Sequence, residues 1–142
     1  MDSSTKREII LENYQNPTNK GLIEDETYQK ANMNNESCID DINLMVKIEN
    51  NIIKDIRFDG EACAISTSST SIMINTLIGK TVEEAKEIYK NFTNMIDEKE
   101  YNSDLLEEAI VYDDIYKQPS RKKCALLPWW ALDKILGENN GK

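Results

Sequence analysis

Histidine is absent from this chain, and cysteine, glycine and proline are scarce. Its 142 residues include no histidine, three cysteines, five glycines and three prolines. Without an imidazole, histidine-based catalytic triads and histidine metal ligands are excluded. The 39% content of hydrophobic residues, with so little glycine and proline, is typical of a folded globular protein. Any metal site or nucleophilic site must therefore be built from thiolates and carboxylates.

Cationic residues and long apolar runs are also in short supply. The chain carries 17 Lys and Arg against 26 Asp and Glu, a net charge of −9. Phosphate binding requires clustered cations, so this balance argues against nucleic acid as a partner. No apolar run approaches the roughly 20 residues of a membrane span, and residues 1–7 lack the apolar core of a signal peptide. Three widely spaced cysteines form a poor disulfide framework, so we expect free thiols in the cytoplasm and no membrane partner.

The first half of the chain has the patterns of one helix and three strands. Residues 5–14 show the apolar spacing of a short amphipathic helix. Alternation of apolar and polar residues predicts strands over 27–34, 41–49 and 52–59. Because Asn50-Asn51 has turn chemistry, we expect the last two strands to form a β-hairpin.

The second half is predicted to be mainly helical. Hydroxyl side chains at residues 66–71 suit a helix start, and Thr81-Val82-Glu83-Glu84 is a capping box for the next helix. We place Pro128 in the first turn of the last helix, where a missing N–H is tolerated. The predicted helices cover residues 66–78, 81–96, 105–110 and 125–136, with a turn or broken helix over 112–119.

These elements predict an α+β fold in a single domain over residues 1–142. A small three-stranded antiparallel sheet would carry the N-terminal helix and a C-terminal group of helices packed on it. We expect an ordered core from about residue 7 to residue 136 and a frayed tail over 137–142.

Cys63 lies where the third predicted strand ends and the hydroxyl-rich helix begins. At a helix N-terminus, unpaired N–H groups and the positive end of the dipole stabilise a thiolate. Gly60 would permit a backbone turn that a β-carbon hinders. The alternative role is a small buried hydrophobe that closes the strand.

Cys124 follows the cationic run Arg121-Lys122-Lys123. Cations near a helix N-terminus oppose the helix dipole, and a nearby thiolate would offset that cost. The alternative is a solvated cationic loop with no role in a site.

Cys38 lies in a polar loop, two residues before Asp40. A loop cysteine suits a mobile nucleophile or ligand, and a carboxylate can bind zinc. The alternative for Asp40 is a solvated turn residue. Three cysteines and one aspartate suit either tetrahedral zinc or three anchors for an iron–sulfur cluster. No two cysteines form a C-x-x-C pair, so spacing alone does not bring them together.

The sequence around these cysteines forms longer motifs in a fixed order. They are Tyr14-Gln15-Asn16-Pro17-Thr18-Asn19-Lys20-Gly21, Cys38-Ile39-Asp40, Phe58-Asp59-Gly60-Glu61-Ala62-Cys63-Ala64-Ile65-Ser66, Gly79-Lys80, Glu84-Ala85, Arg121-Lys122-Lys123-Cys124 and Trp129-Trp130-Ala131-Leu132. From about residue 7 to residue 136 the chain resembles the U-type iron–sulfur cluster assembly family, which includes the NifU N-terminal and IscU-like proteins. The lysine at 123, where IscU-type scaffolds have histidine, and the long stretch from Cys63 to Cys124 resemble its SufU branch.

The resemblance implies a zinc-dependent sulfur acceptor and transfer protein for iron–sulfur cluster assembly. In the family's pattern, Cys38, Asp40, Cys63 and Cys124 bind zinc. Cys38 accepts sulfur as a persulfide from a SufS-like cysteine desulfurase, and the sulfur passes to a downstream iron–sulfur scaffold or apo-proteins. Arg121 would stabilise the site or the docked partner. The chain would then be a sulfurtransferase-type partner of the desulfurase.

Two alternatives stay open beside this function. The chain would be a scaffold if a transient iron–sulfur cluster were built on Cys38, Cys63 and Cys124. It would be a relative in fold alone if zinc were structural and sulfur transfer had been lost. The second alternative arises because Ile39 and Ala62 replace family glycines, and a side chain is strained wherever such a glycine has positive φ.

Overall fold

The computed structural model describes residues 1–35 and 39–138. The helices are α1 (Ser3–Gln15), α2 (Ala64–Leu77), α3 (Val82–Ile96) and α4 (Pro119–Glu138), and the strands are β1 (Gln29–Asn34), β2 (Asp41–Glu49) and β3 (Ile52–Glu61). Short 3-10 helices lie between α3 and α4, over Ser103–Leu105, Glu107–Tyr112 and Ile115–Lys117. The predicted α+β class, with an N-terminal helix, a three-stranded sheet and C-terminal helices, is confirmed.

The sheet is antiparallel throughout, with strand order β1-β2-β3. The predicted hairpin is confirmed, because Asn50 and Asn51 have φ of 52° and 65° and join β2 to β3 in a turn that asparagine tolerates. A register shift between Lys47 and Ile48 marks a bulge in this pair. The first strand begins two residues later than predicted and the third extends two residues further.

The core lies where α4 packs against β1 and β2 and α2 packs against β3. Leu44 of β2 and Phe58 of β3 are almost fully buried. On the helical side, Trp129 of α4 stacks on Phe92 of α3, with ring centroids 4.3 Å apart. The buried hydrophobic residues form a cluster that includes members of the sheet and of α2, α3 and α4.

The sequence predicted that the hydroxyl side chains of residues 66–71 cap α2, but the structure does not use them as the cap, and the four serines among them bond to neighbouring elements. Residues 66–71 are all serine or threonine and all buried. Ser71 donates to Asn13 Oδ1 at 2.6 Å, and Ser68 shares a 2.5 Å hydrogen bond with Tyr112. Buried hydroxyls need such partners, and within residues 1–35 and 39–138 no buried side-chain N or O atom lacks one. The cap itself is Cys63.

The last helix begins earlier than predicted. It starts at Pro119, a first-turn position that proline tolerates, so Pro128 lies inside the helix rather than in its first turn. The predicted start at residue 125 was therefore wrong. Gly137 and Glu138 continue α4, and residues 139–142 of the predicted tail lie outside the described residues. Neither α4 nor any other described helix combines the length and apolar character that a bilayer crossing requires.

Gly60 fixes how closely β3 approaches β2 beside the predicted ligands. It pairs with Ile42 and has φ of +135°, a conformation that favours glycine. A β-carbon built on it would overlap the backbone carbonyl oxygen of Asp41. Because Asp40 precedes that residue and Cys63 follows Gly60 by three positions, this contact helps to bring the two together.

Replacing Gly60 by alanine should destabilise the protein by about 2 kcal/mol, from backbone strain and the clash with Asp41. Urea denaturation followed by circular dichroism measures the loss. The matched control is Gly137→Ala, because Gly137 lies in α4 with open space around its Cα and no positive φ. That control should be neutral or slightly stabilising. Equal stability of the two variants would contradict the role assigned to Gly60.

Candidate metal site

Three of the four predicted ligands converge in one place. Asp40, Cys63 and Cys124 each offer one ligand atom, and these atoms all lie within 4.8 Å of one another. They come from three separate parts of the fold. Asp40 lies in the loop between β1 and β2, Cys63 immediately precedes α2, and Cys124 lies in α4.

Asp40 is buried and held by hydrogen bonds from the start of α2. Only 1% of the residue's surface is exposed. The backbone N–H of Cys63 donates to Oδ1 at 2.7 Å, and the hydroxyl of Ser66 lies 2.6 Å from Oδ2. A buried carboxylate requires such donors. The alternative that Asp40 is a solvated turn residue is therefore wrong.

Cys63 occupies the helix N-terminus that the sequence predicted. It is the N-cap residue of α2, and its Sγ accepts a hydrogen bond from the backbone N–H of Ser66 at 3.5 Å. The same Sγ lies 3.5 Å from Oδ2 of Asp40. Because Cys63 is only partly buried, its thiol is accessible from the neighbouring cavity.

Cys124 is the most enclosed of the three ligands, with 8% of its surface exposed. Burial raises the pKa of its thiol above the ordinary value, and interactions with Cys63 and Asp40 raise this pKa further. The preceding cations belong to the first turns of α4 and not to a loop, although Arg121 and Lys123 are exposed to solvent as the alternative reading expected. The structure does place these cations at a helix N-terminus, as the sequence predicted.

A cavity of about 330 Å³ opens beside the two described cysteines. Its lining residues are Asn35, Cys63, Ala64, Ile65, Ser120, Arg121 and Cys124. The backbone N–H of Asn35 donates to the carbonyl of Asp40 at 3.0 Å and so closes the loop between β1 and β2. Cys38 belongs to this loop in sequence but lies outside the described residues, so its predicted roles stay predictions.

The donor set of this site fits a thiophilic metal. The ligand atoms of two thiols and one carboxylate lie within 4.8 Å of one another, and each group is anionic when ionised. Two of the three residues, Asp40 and Cys124, are buried. Such groups repel unless they are protonated or share a cation, and the raised pKa of Cys124 is one consequence. Sulfur and carboxylate oxygen are ligands of tetrahedral zinc, and cysteine thiolates also anchor iron–sulfur clusters.

The two positions at which the resemblance led us to expect glycine differ in exposure. Ile39, in the loop between β1 and β2, is 72% exposed, and Ala62 is partly buried against the core. Among the described residues other than glycine, positive φ occurs at Asn19, Asn50, Asn51, Glu98 and Glu107. Ala62 is not among them, so the β-carbon there carries none of the backbone strain that we considered.

Ser66 is a part of the site that the sequence did not reveal. The sequence suggested a helix-capping role for its hydroxyl, whereas the structure places that hydroxyl against Asp40 Oδ2. The available signal was a serine three residues after the cysteine that starts the helix. A side chain at that position faces the N-cap residue, and therefore also faces a metal-ligating side chain that lies beside the N-cap.

The chain is similar to a known domain family and to relatives named for sulfur transfer or iron–sulfur cluster assembly. The family model for the NifU-like N-terminal domain matches residues 5–125. The zinc-dependent sulfurtransferase SufU of Bacillus subtilis (strain 168) is 38% identical over 136 residues, which cover 95% of this chain and 91% of the relative. The iron–sulfur cluster assembly scaffold protein IscU of Thermotoga maritima is 32% identical over 129 residues, 91% of this chain and 90% of the relative.

A solved structure shows the same fold. It is the crystal structure of FiSufU, from the thermophile Fervidobacterium islandicum AW-1, named as a candidate iron–sulfur cluster assembly scaffold protein for the SUF system. The two chains are 37% identical, and their superposition has a TM-score of 0.87. It covers 91% of this chain and 94% of that one.

Thiol labelling should distinguish the two described cysteines in metal-free protein. In a Cys38→Ser background with chelator present, iodoacetamide should alkylate Cys63 roughly tenfold or more faster than Cys124. Burial and the raised pKa keep Cys124 protonated, and the thiolate is the reactive form. Peptide mass spectrometry over a time course measures both rates, and denatured protein, in which the two rates should match, is the control. Equal rates in the folded protein would contradict the described burial.

Proposed function

This chain belongs to the family of NifU-like N-terminal domains, and we propose that it is a zinc-dependent sulfur acceptor serving iron–sulfur cluster assembly. The observation that carries the proposal is the convergence of Asp40, Cys63 and Cys124 from three elements. All three residues lie within the segment, 5–125, that matches the family model. The Bacillus subtilis relative, similar along nearly the whole chain, is named as a zinc-dependent sulfurtransferase.

Zinc would be held by Asp40, Cys63 and Cys124, with Cys38 as the fourth ligand. When bound, zinc supplies the positive charge that keeps cysteine ligands deprotonated at neutral pH. Cys38 lies two residues from Asp40, so covalent geometry keeps their Cα atoms within about 7 Å of each other. The chain has no histidine, and a set of three thiolates and one carboxylate completes a tetrahedral shell.

Cys38 would accept the sulfur. Its thiolate attacks the terminal sulfur of a persulfide on the donor's cysteine, and a new sulfur–sulfur bond forms as the donor's bond breaks. The donor cysteine leaves as a thiolate and takes up a proton from solvent, while the transferred sulfur keeps its own proton. The exchange is a thiol–disulfide type reaction with no net oxidation. Arg121, which lines the cavity, supplies positive charge beside the transferring sulfur.

The partners follow from this chemistry. The donor would be a SufS-like cysteine desulfurase, and the acceptor a downstream iron–sulfur scaffold or apo-protein. The net charge of −9 suits docking against a cationic patch on the partner. Because transfer needs free thiols, a cytoplasmic location is part of the proposal. We also propose that residues 1–142 act as a single domain.

A scaffold function is the second candidate, since the Thermotoga maritima relative is named as an assembly scaffold. Cys38, Cys63 and Cys124 would then hold a transient iron–sulfur cluster as cargo. Anaerobic reconstitution with iron and sulfide, followed by transfer to an apo-acceptor, distinguishes this role. A sulfur acceptor that is not a scaffold would pass on no cluster.

Metal analysis tests the ligand set. Wild-type protein purified without chelators or affinity metals should contain about one zinc per chain, and Asp40→Ala should contain markedly less because a carboxylate ligand is lost. The matched control is Asp41→Ala, which removes the next carboxylate, an exposed one that accepts from Asn32. Plasma emission spectrometry measures the content. No metal with three freely titrating thiols would contradict the proposal, and iron with acid-labile sulfide would favour the scaffold.

Intact-mass spectrometry tests the sulfur acceptor. After incubation with a cysteine desulfurase and cysteine, the wild type should gain the mass of a sulfur atom and Cys38→Ser should not. Removal of the nucleophile should also abolish stimulation of desulfurase turnover. Persulfide on Cys38→Ser with full stimulation would contradict the assignment. Chelation that lowers thermal stability but leaves desulfurase rates unchanged would show that zinc is only structural.

A further inference from the structure

Pro128 changes the hydrogen bonding of a metal ligand. It lies inside α4, where the amide of each residue normally donates to the carbonyl four positions earlier. Proline has no N–H, so the carbonyl of Cys124 loses its usual helical donor. Since Cys124 is buried, that carbonyl needs a donor from elsewhere in the protein.

The hydroxyl of Ser66 occupies the place where that donor is needed. Ser66 is fully buried, and its Oγ lies 3.0 Å from the carbonyl oxygen of Cys124. The same Oγ lies 2.6 Å from Oδ2 of Asp40. A serine hydroxyl has one proton to donate, so the two acceptors share it, and the shorter distance to the carboxylate favours Asp40.

We propose that Ser66 is the positioning residue of the metal site, which orients Asp40 for the metal and ties it to the backbone of Cys124. The backbone N–H of Cys63 holds Oδ1 of Asp40, and the hydroxyl of Ser66 holds Oδ2. With both oxygens held, the carboxylate has one orientation. This inference rests on the proposed function in that the site binds zinc.

Ser69 shows what a purely structural serine looks like in the same helix. Its Oγ donates to the carbonyl of Ala125 at 2.7 Å and accepts from Nε1 of Trp129 at 3.2 Å. It therefore joins α2 to α4, as Ser66 does, and it is equally buried. Neither of these hydrogen bonds reaches a ligand side chain, which makes Ser69 a matched control.

The metal affinity should reveal the difference. Ser66→Ala should weaken zinc binding about tenfold or more, the usual effect of removing a group that orients a ligand. Ser69→Ala should leave the zinc dissociation constant nearly unchanged although it lowers the melting temperature. Competition with a chromophoric chelator measures the constants, with melting temperatures recorded for each metal-free variant. An unchanged constant in Ser66→Ala, or equal weakening by Ser69→Ala, would overturn the proposal.

A double-mutant cycle shows whether Ser66 acts through Asp40. In an Asp40→Ala background, adding Ser66→Ala should weaken zinc binding less than about threefold further, because the oriented group is already gone. The same tenfold loss in that background would mean a general structural effect and would overturn the positioning role.

Cobalt(II) supplies a readout independent of activity. Loaded in place of zinc, it has visible ligand-field bands that depend on ligand geometry. Ser66→Ala should shift or weaken these bands, whereas Ser69→Ala should leave them as in the wild type. Identical spectra for Ser66→Ala and the wild type would overturn the proposal. A wild-type protein that binds neither zinc nor cobalt would overturn the proposed function itself, which is a distinguishable result.

Discussion

The buried carboxylate of Asp40 is the interaction on which the site depends. It accepts from the backbone N–H of Cys63 at 2.7 Å and lies 2.6 Å from the hydroxyl of Ser66. Moving a carboxylate out of water is unfavourable unless donors replace the lost hydration. These bonds therefore pin the loop that precedes β2 to the N-terminus of α2. Because Ser66 also contacts the backbone of Cys124, the same few atoms join the loop to α4.

The fold gives the ligands rigid support. Cys63 lies at the N-terminus of α2, whose hydroxyl side chains are all buried and whose serines bond to neighbouring elements. Cys124 sits in a helix that packs on the sheet and stacks Trp129 against Phe92. Metal sites built on packed elements hold their geometry well. The proposed nucleophile, Cys38, is separate from these elements in sequence, in the segment between β1 and β2.

Local features of the fold could be predicted from sequence, and long-range ones could not. Asn50-Asn51 predicted the hairpin and Thr81 with Glu84 predicted a capping box, because each depends on neighbouring residues alone. The start of α4 was missed because Pro128 reads as a first-turn residue unless tertiary contacts are known. The role of Ser66 was missed for the same reason, since its partners lie 26 and 58 residues away. The ligand set came from residue types and motif resemblance, and the structure brings three of its members, Asp40, Cys63 and Cys124, together.

X-ray absorption spectroscopy of the zinc-loaded wild type tests the central claim most directly. The claim is that one carboxylate and three cysteines share a metal. We predict three sulfur atoms at about 2.3 Å and one light atom at about 2.0–2.2 Å from zinc. Since the chain contains no histidine, the light atom would be oxygen. A shell of four sulfur atoms, or one of oxygen alone, would contradict the account.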